Sequence, residues 1–504
     1  MKILKYNLSI IAFFMSLSIF GQQSKKMTDK FFPDPDIEMN TPSFSKKGIA
    51  GYKEMMGFIN EKISGKDNVS LSYIGKTQKD VDIPTIIFKS DAPKVKVMFS
   101  ARIHGDEPAG TEGLLLLIDK LLSDPELQAL RKNMDIAILP MVNIDGGERM
   151  DRRTSNGLDL NRDLTKLETP ESVVFREFLN KFSPDVYIDF HEYNPFRADY
   201  LKMETSGVSG FADVMFLYCE NPNYPKSLSG LFAEKFLPEY QSALKANNLT
   251  YYKYFAPSKV KGEIVLNIGA ASPRSTSSGV GLTNALSMLI EVRGEGMEKI
   301  SFRRRTYTSF LIALTTLKES LKNSDLIKEK VKEAANTFND IVVTEKRKTE
   351  VRKIPFIDIG KNELVEIEMP VRDVSDRTPD IVRKRPEYYA ILPQYETVAN
   401  KLIQLGLKVE KLDEEKMVNA ESYHIKDVQK SNTKFEGFYE QIVTTEIKEQ
   451  QVKLPKGTFL INMRQKNSNL AAVVLEPEAE NGFVRYNVFS IENLTELPIY
   501  RIIK

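Results

Sequence analysis

The chain has one cysteine, Cys219, and three histidines, His104, His191 and His424, in 504 residues. A single thiol rules out an intramolecular disulfide and a cysteine-based metal cluster. Any metal must therefore be held by carboxylates and these few imidazoles. Charge of one sign is also lacking. The 71 Lys+Arg against 69 Asp+Glu leave a net charge of +2, which gives no general pull towards nucleic acid or acidic lipid. No basic block with interleaved aromatics occurs, and nucleic acid is set aside as a partner. Internal repeats and low-complexity tracts are missing as well. The apolar run near the N-terminus, about Leu8 to Phe20, is too short and too poorly flanked for a membrane span. With Lys2 and Lys5 before it and Gly21 after it, it reads as a signal peptide over residues 1–21. No cysteine follows it to carry a lipid. The mature chain is expected to be exported, periplasmic or extracellular, with no stable membrane span after signal cleavage.

The length favours two or three domains. After a polar leader, apolar segments alternate in an α/β manner. The runs at 95–101, 134–142, 183–190 and 285–292 suit buried strands, and 110–124 and 304–339 read as helical. Strands separated by helices argue for a mixed, mostly parallel sheet with helices on both faces. The charged stretch EKRKTEVRK (345–353) reads as a linker, taken as 346–353. Beyond it the texture changes to short runs such as ELVEIEMPV, GTFLINM and LAAVVLEP, with one helix near 395–406. Residues 22–345 are thus expected to form an α/β domain and 354–504 a smaller, mainly β domain.

The polar clusters are sorted along the chain. RIHGDE, NIDGGE, HEY and RGEG each follow the end of an expected strand, the edge at which open α/β sheets bind ligands. His104 and Glu107 lie three apart in a turn entering a helix, and His191 ends another strand. Two imidazoles and a carboxylate, with a fourth position open, are the ligand set of a catalytic zinc site, although these donors also suit other divalent metals. Asp159 and Asp189 are candidates to fix the imidazoles. His424 has no comparable carboxylate set. RMDRRTSNGLDLNRDL (149–164) groups Arg149, Arg152, Arg153 and Arg162 with Asn161. Such a loop is either a solvated surface or a place to bind a carboxylate and a developing oxyanion. Glu291 sits at the end of an otherwise apolar strand, where it either pairs with an arginine such as Arg293 or serves proton transfer.

Taken in order, HGDE, NIDG, RRTSNGLDLNRD, a strand-end histidine and a later glutamate before arginine resemble the zinc carboxypeptidases of the A/B type, over roughly residues 50 to 300. The resemblance implies one zinc ion per chain on His104, Glu107 and His191, with Asp159 supporting His104. It makes Glu291 the general base towards a zinc-activated water and then the general acid. Arg152, or its neighbour Arg153, would polarise the scissile carbonyl, and Asn161 and Arg162 would grip the terminal carboxylate. The partner is then a peptide with a free C-terminal carboxylate, cell-wall peptides included. Ile144 stands where the family usually has proline. The family's substrate-binding tyrosine has no clear counterpart, Tyr251, Tyr252 and Tyr254 being the nearest. Side-chain selection falls in SPRSTSSGVG (272–281), where Arg274 would suit an acidic residue. The alternatives are a zinc deacylase of N-acyl amino acids and an inactive peptide-binding relative. The C-terminal segment resembles the accessory region of secreted bacterial relatives and is read as a packing module.

Overall fold

Apolar runs long enough to be buried on both faces form the centre of the molecule. The structure is a computed structural model and describes residues 25–46 and 48–503; the signal expected over 1–21 lies outside them. Eight strands make the main sheet: β1 (Val69–Lys76), β2 (Asp82–Phe88), β3 (Val95–Ala101), β4 (Met134–Leu139), β5 (Val186–Tyr193), β6 (Val214–Tyr218), β7 (Tyr251–Lys253) and β8 (Leu286–Arg293). Their order is β1-β2-β4-β3-β5-β8-β6-β7. The ladders β4–β3, β3–β5, β5–β8 and β6–β7 are parallel, and the other three are antiparallel. The sheet is mixed and mostly parallel, as the alternation of strands and helices suggests.

Every residue of β4 and β5 is buried, which explains their mostly apolar character, with Asp135, Asp189, His191 and Glu192 as the buried polar exceptions. Val97 and Phe99 of β3 and Ile136 and Ile138 of β4 share a core with Leu114 and Leu117 of the helix Ala109–Ser123 and with Ile312 and Leu317 of Phe302–Lys322. Met98, Ala137, Leu139 and Tyr187 share the opposite core with Phe175 and Leu179 of Pro170–Phe182. The two helices on the first face approach closely at Gly113, where a Cβ would lie 2.6 Å from the Ser309 Cβ and 3.0 Å from the Phe310 nitrogen.

The connections fix the site. From β3 the chain crosses through Ala109–Ser123 to β4 on one side, while β5, on the other side of β3, leads away towards β8. Loops leaving β3 and β5 therefore diverge and open a crevice at their carboxyl ends.

The C-terminal region is largely β, but the stretch read as a linker is not one. Residues 350–353 begin the strand Glu350–Asp358, whose early residues alternate half-buried and exposed, with Glu350 and Arg352 on one face and Lys353 on the other. That strand pairs with Glu363–Asp373, which pairs in turn, parallel, with Glu263–Ile268. A five-stranded sheet thus crosses the expected boundary. LAAVVLEP is also corrected: Ser468–Leu475 is a helix buried on all sides, which leaves an apolar run without helical periodicity. The helix near 395–406 is present as Glu396–Gln404. A six-stranded sheet includes a long hairpin, Lys416–Phe435 with Phe438–Leu454. No helix among the described residues is long and apolar enough to cross a membrane.

Gly113→Ala sets two effects against each other. Alanine gains about 1 kcal/mol of helix preference over glycine, whereas overpacking against fixed backbone costs about 1–3 kcal/mol. The variant should unfold at lower denaturant concentration than the wild type; an unchanged or higher midpoint would show that the helices can separate freely.

Candidate metal centre and active site

The turn after β3 is held rigidly. Arg102 has a left-handed φ of 57°, and its buried guanidinium donates to the carbonyls of Gly105 (2.9 Å), Gly147 (3.1 Å) and Ala50 (3.2 Å). Gly105 packs directly on the NIDGG turn; a Cβ there would meet the Gly146 carbonyl carbon at 2.1 Å. Asn143 caps that turn by accepting from the Gly146 nitrogen (3.0 Å), and its amide donates to the Arg152 carbonyl (3.3 Å). Glu192 accepts from the Ala109 nitrogen (2.6 Å), tying the end of the HGDEPAG loop to β5. The apparently separate motifs are one interlocked floor.

On that floor His104, Glu107 and His191 come together, all buried, with one ligand atom of each within 4.8 Å of the others. The His104 Nδ1 is 2.8 Å from Glu107 Oε1, the His191 Nδ1 is 2.8 Å from Glu107 Oε2, and the two Nδ1 atoms are 3.0 Å apart. The opposite nitrogens are engaged: His104 Nε2 with Asp159 Oδ1 (3.1 Å) and His191 Nε2 with Asp189 Oδ2 (2.6 Å). Each aspartate thus aims its imidazole's Nδ1 at the common centre. Ligands at zinc-bond length in a tetrahedron stand about 3.3 Å apart, so a small widening of this triad accommodates the ion. The donor set fits zinc.

Burial opposes charge on both imidazoles, but carboxylates outweigh it. Asp189 and Glu107 hold the His191 pKa well above its usual value, and Glu107 and Asp159 raise that of His104 against the further opposition of Arg152. Burial works against charge on Glu107 too, yet both histidines draw its pKa down. Asp159 is similarly held low by His104 and Arg152 despite its burial.

Arg152 faces this centre. Its Nη1 lies 3.1 Å from His104 Nδ1 and 3.4 Å from Glu107 Oε1, and its Nε donates to Asp159 Oδ2 at 3.1 Å. Arg153 is exposed, which decides between the neighbours in favour of Arg152. Glu291 is the direct register partner of His191 across the parallel β5–β8 ladder, so both side chains leave the same face of the sheet. Burial, with the Glu107 carboxylate adding to it, pushes the Glu291 pKa up to about 7 against the pull of His191, His104 and Arg152. Glu291 makes no ion pair with Arg293, which donates to Ser209 Oγ (3.2 Å) and lies over the Phe32 ring.

Asn161 is buried, and its Oδ1 accepts from the Thr276 backbone nitrogen at 2.8 Å. Thr276 Oγ1 donates to Asp189 Oδ2 at 2.6 Å. One threonine therefore links the His191 support to the Asn161–Arg162 pair; it escaped the sequence analysis because a serine- and glycine-rich segment carries no motif. Arg162 is half-buried, with its Nε 3.6 Å from a carboxylate oxygen of Glu436 at the tip of the long hairpin. Nothing local in the sequence marks Glu436, or the buried Lys166 that also contacts it. Burial pushes the Tyr254 hydroxyl up to about 12, and Glu291, Arg162 and Arg152 also act on it, whereas Tyr252 feels Arg352, Asp373 and Glu366. His424 lies in the C-terminal sheet, 3.1 Å from Ser422 Oγ. Cys219 is buried, its thiol pushed up to about 12, and is no nucleophile.

A buried His–Glu–His donor set able to hold a metal ion thus stands beside a half-buried glutamate, Glu291, and Arg152. Residues 55–198 match the family model described as zinc carboxypeptidase. The matched segment contains His104, Glu107, Arg152, Asn161, Arg162 and His191 and ends before Glu291. The chain is similar to carboxypeptidase 2 of Trichophyton rubrum, 26% identical over 436 residues, with 85% of this chain and 79% of that protein covered. It is 30% identical over 141 residues to carboxypeptidase M of Mus musculus, covering 24% of this chain and 30% of that one. Among solved structures, a metallo-carboxypeptidase from Pseudomonas aeruginosa is 20% identical, with a TM-score of 0.42, over 55% of this chain and 70% of that one.

Removing the aspartate behind an imidazole weakens metal binding by about 10–100-fold. Asp189→Asn should therefore lose zinc to a competing chelator at correspondingly lower chelator concentration; equal retention would mean that Asp189 does not orient His191. Protons compete for the same nitrogens, and the raised histidine pKa values move that competition to higher pH. Zinc affinity should fall as pH is lowered, starting above the ordinary histidine range.

Proposed function

We propose that this protein is a zinc-dependent carboxypeptidase that hydrolyses the C-terminal bond of peptides, with His104, Glu107 and His191 holding the ion. The observation that carries this reading is the placement of Glu291 beside His191 on the adjacent parallel strand, at the one edge where Arg152 and the Asn161–Arg162 pair also converge. Bound zinc supplies Lewis acidity, which acidifies water and polarises a carbonyl at neutral pH.

The chain's own residues supply the rest. Arg162, whose Nη1 donates to the Asn161 carbonyl (2.8 Å), presents its remaining N–H groups with the Asn161 amide to a terminal carboxylate. That grip fixes the chain end, and with it the bond that enters the centre. Glu291 takes the proton of the attacking water and returns it to the leaving amine, a shuttle suited to a carboxylate held near neutrality by burial. Arg152 donates N–H to the carbonyl oxygen as charge builds there, and Asp159 keeps its guanidinium turned towards the centre. Tyr254, which feels the charges of Glu291, Arg162 and Arg152, is assigned as the counterpart of the family's substrate-binding tyrosine.

Glu291→Gln should bind zinc as the wild type does and lose about a hundredfold to ten-thousandfold in turnover. The variant should also lose the acid limb of kcat/KM, along which activity falls as Glu291 is protonated; the charge of bound zinc places that limb below pH 7. A peptide amide should be cleaved about 10–100-fold less efficiently than the free acid, since Arg162 is left without its carboxylate. Retained turnover in Glu291→Gln, or equal cleavage of amide and acid, would overturn the reading. Release from N-acyl amino acids but from no peptide would assign the centre to deacylation instead.

We further infer export, supported by the leader read over 1–21. The mature N-terminus of the exported chain should lie just after Gly21; a mature chain that retains Met1 would contradict this.

A further inference from the structure

The long hairpin of the C-terminal sheet ends on a two-residue turn, Glu436–Gly437, closed by the pair Phe435–Phe438. Both turn residues have left-handed φ, 49° and 86°. Glycine adopts this freely and glutamate does not, so the identity of residue 436 is not set by the turn. Its carboxylate instead lies among three cations of the peptidase region. Oε2 accepts from Lys166 Nζ at 3.2 Å and from Arg274 Nη1, and Oε1 stands 3.6 Å from Arg162 Nε. Lys166 and Arg274 are both buried. Lys166 Nζ lies 4.6 Å from the Phe438 ring centroid and 4.7 Å from that of Tyr486, and the Arg274 guanidinium is 4.7 Å from the same Tyr486 ring. This is a built anion pocket, and its present occupant belongs to the chain itself.

The pocket adjoins the residues assigned above to the substrate's end. Arg162 is one of its walls, and Arg274 precedes Thr276, which holds Asn161. Arg274 is further fixed by Asn481, whose Oδ1 accepts from its Nε at 2.7 Å. Three cations against one carboxylate leave the pocket positive, which disfavours a lysine or arginine as the terminal residue. A neutral terminal residue cannot replace Glu436 without leaving Lys166 and Arg274 buried and unpaired. A second carboxylate can. A cavity of about 660 Å³ lies beside the tip, lined by Arg274, Phe435, Glu440, Glu480 and Tyr486 but not by Lys166 or Glu436 itself, so the tip has open space next to it on the Arg274 side.

We propose that Glu436 is a built-in competitor occupying a pocket for an acidic C-terminal residue, and that the side-chain carboxylate of such a substrate displaces it from Lys166 and Arg274. The hairpin tip then withdraws, and the terminal carboxylate takes Asn161 and Arg162. This inference rests on the assignment of that pair to the substrate terminus, and it gives the C-terminal region a role in selecting substrate.

The test has two arms. The first compares zinc-loaded wild type with Glu436→Gln on matched peptides ending in glutamate, leucine or lysine. Loss of the internal carboxylate should lower KM for the glutamate peptide by about tenfold relative to the leucine peptide, with kcat little changed. The second arm needs no turnover. The chain has no tryptophan, so Tyr439→Trp, an exposed position three residues past Glu436, gives a single fluorophore on the hairpin. Titration with free L-glutamate should shift its emission, and L-norleucine should not. A Glu436→Gln variant with raised KM for every peptide, or an emission that ignores L-glutamate, would make Glu436 a fixed wall and overturn the proposal. If the wild type cleaves no peptide, the peptidase reading fails by itself, and the fluorescence arm still decides whether the pocket takes a dicarboxylate.

Discussion

Everything at this site depends on keeping two imidazoles and a carboxylate buried side by side. Solvent does not stabilise them: His104, Glu107 and His191 are each about 1–2% exposed. The arrangement holds because Asp159 and Asp189 close off the outer nitrogens and Glu107 bridges the inner ones. The aspartates impose further structure in turn. Asp159 draws in Arg152, and Asp189 draws in Thr276, which carries Asn161 with it. The His–Glu–His triad, Arg152 and Asn161 are therefore not three separate features but one network of polar and charged groups, each satisfied by the next.

The sheet supplies what the network cannot, which is placement. Parallel pairing of β5 and β8 sets Glu291 level with His191. Because paired residues on parallel strands leave the same face, Glu291 cannot turn away without breaking the register. The divergence of connections after β3 and β5 opens the space in front of them. Burial in that crevice holds Glu291 near neutrality, so the feature that creates the site also tunes the group that works in it.

The β3, β4, β5 and β8 strands were legible because burial on both faces leaves runs that are mostly apolar, interrupted by only a few polar residues. The site residues were legible because polar side chains at the ends of such runs need a reason. What escaped falls into two physical kinds. Strand Glu350–Asp358 begins with Glu350, Arg352 and Lys353, a charged stretch that looks like a linker, and Ser468–Leu475 is buried all round, which erases helical periodicity. The other kind is long-range: Glu436 reaches Arg274 and Lys166 from far along the chain, and no local pattern records a contact made by folding. Arg274 was visible as a side-chain selector, but its partner was not. The five-stranded sheet that joins Glu263–Ile268 to Glu363–Asp373 makes the same point for the domain boundary, since pairing across it leaves no mark in composition.

Zinc-edge anomalous diffraction from crystals of the zinc-loaded chain tests the central claim most directly. The account predicts one strong peak per chain, at bonding distance from the His104 and His191 Nδ1 atoms and the Glu107 carboxylate, with Asp159 and Asp189 still on the opposite nitrogens. A peak elsewhere, at His424 for example, or none among these three side chains, would contradict it.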